Sequence, residues 1–192
     1  MTAATTGEVV PTFDVDSHLS WWTRRRLTRQ LGIRDDVSAR LAELHNIAGI
    51  LNQAADMISS GWLQHSWFAY RDDNGRTKTV TAYNVNEMAG RPVTGACLVG
   101  AIVQAGGGLS KVRTQPVQRA LDITWHTLFE TTPQPNHWTP APAIRTLRVR
   151  DLTRWNDHPR RTAPQAEALL RRSAAAARSE AAHVSRRSSD VH

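Results

Sequence analysis

Residues 93–105 (Val-Thr-Gly-Ala-Cys-Leu-Val-Gly-Ala-Ile-Val-Gln-Ala) are apolar on nearly every side. A segment of that kind has to sit in the middle of a fold, with other elements covering all of it. The run predicts one buried helix over Val93–Ala105, ended by Gly106-Gly107-Gly108. Gly95 and Gly100 lower its helix propensity and admit close approach by a neighbouring helix or indole. The triple glycine follows a helix and does not precede one, so it lacks the context of a phosphate-binding loop.

The rest of the chain supplies the covering elements. Leu41, Leu44, Ala48, Leu51, Ala55 and Ile58 recur at helical spacing, and Ile47 and Ala54 widen the stripe. This helix starts near Asp36 and stops at Gly61; His45 and Asp56 fall on its solvated flanks. A second amphipathic helix is expected over Pro116–Phe129, with Val117, Leu121, Trp125 and Leu128 inward. Thr162-Ala163-Pro164-Gln165 has the pattern of a helix cap with proline in the first turn. The last helix follows it, with Ala166, Leu169, Leu170, Ser173 and Ala174 on its inner side. Upstream, residues 17–35 read as a basic amphipathic helix capped by Ser17 and stopped by Gly32, with Arg24, Arg25, Arg26 and Arg29 solvated.

Asp72-Asp73-Asn74-Gly75 is a turn signal, and Thr77–Ala82 is β-branched, which suggests a small hairpin near residues 66–82. The later acidic ligands of a calcium loop are missing after that turn. Thr132–Pro142, with prolines at 133, 135, 140 and 142, reads as an irregular connection, and Ile144–Val149 as a short extended piece or a helical turn. The fold class is mainly α: a bundle of four to five helices with a small hairpin. Its parts are a disordered stretch 1–16, the basic helix 17–35, a helical domain 36–178 and a disordered Arg/Ser tail 179–192.

Composition narrows the function classes. A single cysteine excludes an intramolecular disulfide, and the start of the chain has neither a basic cluster nor an apolar run. No apolar stretch approaches the roughly 20 residues of a membrane span. The expectation is a cytoplasmic protein with no membrane role. The basic residues are 22 Arg and 2 Lys, a bias that suggests a GC-rich actinobacterium or one of its phages. Of the net charge of +7, six units come from residues 145–192, where eleven Arg face five acidic residues. Polyanion contacts, if made, map to Arg145–Arg187.

Two strings hold the candidate chemistry. Cys97 is the only soft nucleophile, near the start of its expected helix, with Asp157 and His158 as orienter and base. Against this, a free cysteine among Leu98, Val99 and Ile102 is a core thiol by composition. Trp155-Asn156-Asp157-His158-Pro159 reads first as a corner, with the indole as plug and Asn156 and Asp157 holding backbone amides near the last helix. Its functional reading joins Trp155, Asn156, Asp157, Arg160 and Arg161 in an anion-binding cluster at a helix entrance. The eight histidines show no metal-ligand spacing, and no cofactor is expected.

The order of these strings resembles a small actinobacterial and phage-associated domain family of unknown function. The resemblance rests on Gly61-Trp62, the Asp73–Gly75 turn, Ala96-Cys97-Leu98-Val99-Gly100-Ala101, and Trp155-Asn156-Asp157 followed by Arg161-Thr162. It spans about residues 40–175 and departs at Ala96, where such proteins carry Trp or another large residue. It implies a shared scaffold for Cys97 and the 155–157 corner, and no activity. Three functions follow: a non-enzymatic interaction or accessory module, nucleic-acid binding through the C-terminal arginines, and a thiol enzyme using Cys97. The expected partners are accordingly another protein or a nucleic acid.

Overall fold

The computed structural model describes residues 21–130 and 142–189. Within them the elements run α1 (Trp21–Ser60), β1 (Phe68–Arg71), β2 (Thr77–Val80), β3 (Val93–Ala96), α2 (Leu98–Ala105), α3 (Gln115–Phe129), α4 (Pro142–Asn156) and α5 (Ala163–Ser189). Short 3-10 turns occur at Val85–Met88 and Leu109–Lys111. The chain is mainly helical with one small antiparallel sheet, in agreement with the expected fold class. Contacts divide it between Ser38 and Ala39. The first unit's described part is helix throughout, residues 21–38, and the second unit holds the rest of α1 and the elements that follow it.

Gly32 does not stop a helix: α1 passes through it. A mid-helix glycine costs about 1 kcal/mol, which is less than a helix break requires. Ser17, the expected cap, and residues 1–16 lie outside the described residues, as does most of the irregular connection at 132–142. From Leu44 to Ile58, α1 buries the expected stripe, with Leu44, Leu51, Ala54 and Ala55 fully enclosed.

The hairpin forms where expected. β1 pairs with β2 from Phe68↔Val80 to Arg71↔Thr77, and Asp72 Oδ1 accepts from the Asn74 and Arg76 amides to hold the turn. The apolar run, however, is not one helix. Val93–Ala96 is a third strand, antiparallel to β1 (order β2-β1-β3), and the helix starts only at Leu98. An apolar run without periodicity does not tell a buried strand from a buried helix. The centrality of the run is as expected: Ala96 through Val103 are all buried.

Two glycines set how closely these pieces meet. A Cβ on Gly61 would lie 2.5 Å from the Thr94 carbonyl oxygen, and one on Gly100 would lie 2.3 Å from that of Trp67. The backbone just before β1 therefore presses onto α2 at Gly100, and that of β3 onto Gly61 after α1, where only glycine fits.

α4 is a full helix across Ile144–Val149. The hydrophobic pattern misses it because its inward residues there are charged. Arg148 Nη1 lies 2.9 Å from Asp122 Oδ1, and Arg145 Nε lies 3.5 Å from Asp122 Oδ2. The Arg148 guanidinium also stacks 4.6 Å over the Trp125 ring, whose Nε1 donates to Asp151. α5 continues through residues 179–189, where an unstructured tail was expected. Ala177 and Ala181 extend its buried stripe beyond Ala174 at helical spacing, so the tail has a face to bury. At its start the Thr162 amide donates to Gln165 Oε1, one half of the expected capping box.

Candidate functional site

Asn156, the last residue of α4, is wholly buried and uses every hydrogen-bonding position of its amide. Its Oδ1 accepts from Trp62 Nε1 at 2.9 Å and from the Leu98 amide at 3.1 Å. Its Nδ2 donates to the Leu63 carbonyl at 3.0 Å and to Asp157 Oδ1 at 2.8 Å. Gln64 Nε2 adds two bonds to the Asn156 and His158 carbonyls, both at 3.0 Å. The corner is therefore held against the 61–65 segment and the start of α2. It does not reach the start of α5, where the sequence reading put its amide partners.

Cys97 is the N-cap of α2, with φ −77° and ψ 172°. Its Sγ accepts from the Gly100 amide at 3.3 Å, the position an Asp or Ser oxygen ordinarily takes. Asn156 Oδ1 takes the neighbouring Leu98 amide, so two of the helix's orphan donors are satisfied from different elements. Burial pushes the Cys97 thiol up to about 11; the Asp157 charge adds to this, and the Gly100 and Val99 amides offset part of it.

Cys97 lies at a cavity of about 240 Å³, which it lines with segments 65–67 and 81–83, Thr153 and Asp157. The histidine that joins Cys97 and Asp157 there is His65, and His158 is not part of the lining. His158 instead accepts from the Arg160 amide through Nδ1 at 3.2 Å, within its own turn. His65 has φ +60°, which is unusual for a non-glycine residue and marks a constrained position. Asp157 constrains it: Oδ1 accepts from the His65 amide at 2.9 Å, while Oδ2 lies 3.8 Å from His65 Nδ1. Nothing in the sequence singles out His65, since a positive φ imposed by a carboxylate 92 residues away leaves no local pattern.

The remaining candidates are dispersed. Trp155 is half-buried and carries the Arg161 guanidinium 4.6 Å over its ring, and Arg160 is exposed. The structure brings Asn156 and Asp157 together but turns Asn156 inward, away from any anion at the surface. Among the described residues, no three His, Cys, Asp or Glu side chains are grouped to hold a metal ion. Among the same residues, no helix is long and apolar enough to cross a membrane.

A model of a family of unknown function, DUF6197, matches residues 42–176. The chain belongs to DUF6197. The match covers α1 from residue 42, the sheet, α2 to α4 and the first half of α5, so the Asn156 corner and the cavity both lie inside the DUF6197 region. Searches of the curated proteins and of the solved structures each return no match.

Proposed function

We propose that this DUF6197 chain is a non-enzymatic recognition module. Its cavity takes a small ligand or a partner's side chain without reacting with it. The observation that carries this reading is the state of Cys97. The only thiol in the cavity lining is a helix cap that burial pushes up to about 11, which keeps it protonated at neutral pH. A nucleophilic cysteine needs the opposite environment, with a cation or base drawing the proton off. A single unpaired cysteine supports a reducing compartment, and so the cytoplasm.

Replacing Cys97 by Ser tests the reading, because the hydroxyl keeps the cap and removes the thiol. The Cys97→Ser chain is expected to restore a gene-deletion phenotype as well as the wild type does. Loss of that activity with an unchanged Tm overturns the proposal and restores the thiol enzyme.

A second reading, electrostatic binding of nucleic acid, draws on α5. Continued as helix through Ser189, it carries Arg172, Arg178, Arg186 and Arg187 exposed. Arg145, Arg148 and Arg171 belong to ion pairs with Asp122, Asp56 and Glu167, which leaves the exposed Arg150, Arg154 and Arg160 beside those of α5 as the basic surface. Anisotropy titrations that show binding at low salt, weakening steeply as salt rises, support this reading; no binding at low salt removes it.

A further inference from the structure

Resting on the recognition reading, we infer that the cavity between Asp157 and Tyr83 binds a small organic cation, an alkylammonium or alkylguanidinium group. Among the described residues, Asp157 is the only Asp, Glu, Lys or Arg in the lining. Asp157 is also half engaged. Its Oδ1 takes two N–H donors, from His65 and Asn156, which fix the carboxylate in place. Its Oδ2 accepts no hydrogen bond from the described residues and stands 3.8 Å from the His65 ring. A positioned carboxylate with one open oxygen is the acceptor that an N–H-bearing cation requires.

The rim supplies the complementary surface. Tyr83 lines the cavity and is 99% exposed, so its ring is left to solvent. The half-buried Trp67 lines the same space. A carboxylate and two aromatic residues in one lining are the chemistry by which proteins hold ammonium and guanidinium groups. A neutral ligand leaves the Asp157 charge unanswered, and an anion is repelled by it. The volume, about 240 Å³, falls below the roughly 300–1,000 Å³ of pockets for drug-sized ligands. The occupant is therefore a head group or a side chain. A free amine and the arginine of a partner protein share this chemistry.

The test is a titration of the ¹⁵N-labelled full chain with four probes of matched shape: n-butylammonium, n-propylguanidinium, n-butanol and butyrate. The two cations are expected to shift the amides of His65, Tyr83 and Cys97 saturably, and the alcohol and the carboxylate to leave them in place. Tyr83→Ala, which removes a fully exposed ring, is expected to weaken cation binding by about threefold to tenfold. Asp157→Asn keeps an oxygen for the His65 amide and is expected to weaken it by tenfold or more. A capped tripeptide with a central arginine separates the sources: binding tighter than propylguanidinium points to a protein partner, and weaker binding to a free amine. Equal shifts with butanol and butylammonium, or no shift with either cation at millimolar concentration, overturn the inference. They leave the recognition reading standing, because that reading falls only if Cys97→Ser abolishes function.

Discussion

Asn156 and Asp157 are adjacent in sequence and opposite in use. Asn156 is fully enclosed, and its amide makes four hydrogen bonds to four partners. Asp157 shares one oxygen with that network, keeps the other without a hydrogen bond from the described residues, and lines the cavity with Tyr83. The closed residue joins α4, the 61–65 segment and the start of α2. The open one faces solvent through the space those elements leave. A saturated polar network specifies a fold, and a half-saturated one at a cavity wall is where a ligand fits.

The contrast breaks most easily at Asn156. Asn156→Ala strands the buried Leu98 amide, the Trp62 indole N–H and the Leu63 carbonyl. Its expected cost is about 3–5 kcal/mol by denaturant unfolding, the range for a lost buried network. A cost below about 1 kcal/mol would show that the corner is not a lock. Gly100→Ala comes next. Its Cβ would meet the Trp67 carbonyl oxygen at 2.3 Å, and separating strand from helix is expected to cost about 1–3 kcal/mol.

A comparable effect appears only in alkali. The Cys97 pKa is raised from 9.0 to about 11 in the folded chain, so the native state resists losing this proton. Its contribution is whole below pH 9 and is lost as the pH climbs toward 11, amounting to about 2–3 kcal/mol. Unfolding measured at pH 7 and pH 11 checks it: the wild type should lose more stability than Cys97→Ser, whose hydroxyl does not titrate there. The smallest expected effect is that of Tyr83→Ala on Tm, within about 0.5 kcal/mol for an exposed ring. A larger loss would mean that Tyr83 holds the fold and does not simply border the cavity.

The legible parts of the sequence are those whose signal is local. The Asp72–Gly75 turn, the stripe of α1 from Leu44 to Ile58 and the Thr162–Gln165 cap each announce themselves within a few residues. Distant partners decide the rest. Val93–Ala96 is a strand because β1 is there to pair with it, and α4 is a helix whose inward arginines meet Asp122. Cys97 and Asp157 could be named from the sequence as neighbours. Their true histidine, His65, could not, because its place depends on a backbone bond to Asp157 and on a positive φ.

The central claim is that the cavity recognises and does not react, and the alkylation rate of Cys97 tests it most directly. Iodoacetamide at pH 7 is expected to label Cys97 only as the chain unfolds, with the rate rising in step with denaturation. Labelling of the folded chain as fast as a free thiol, unchanged by denaturant, would contradict it.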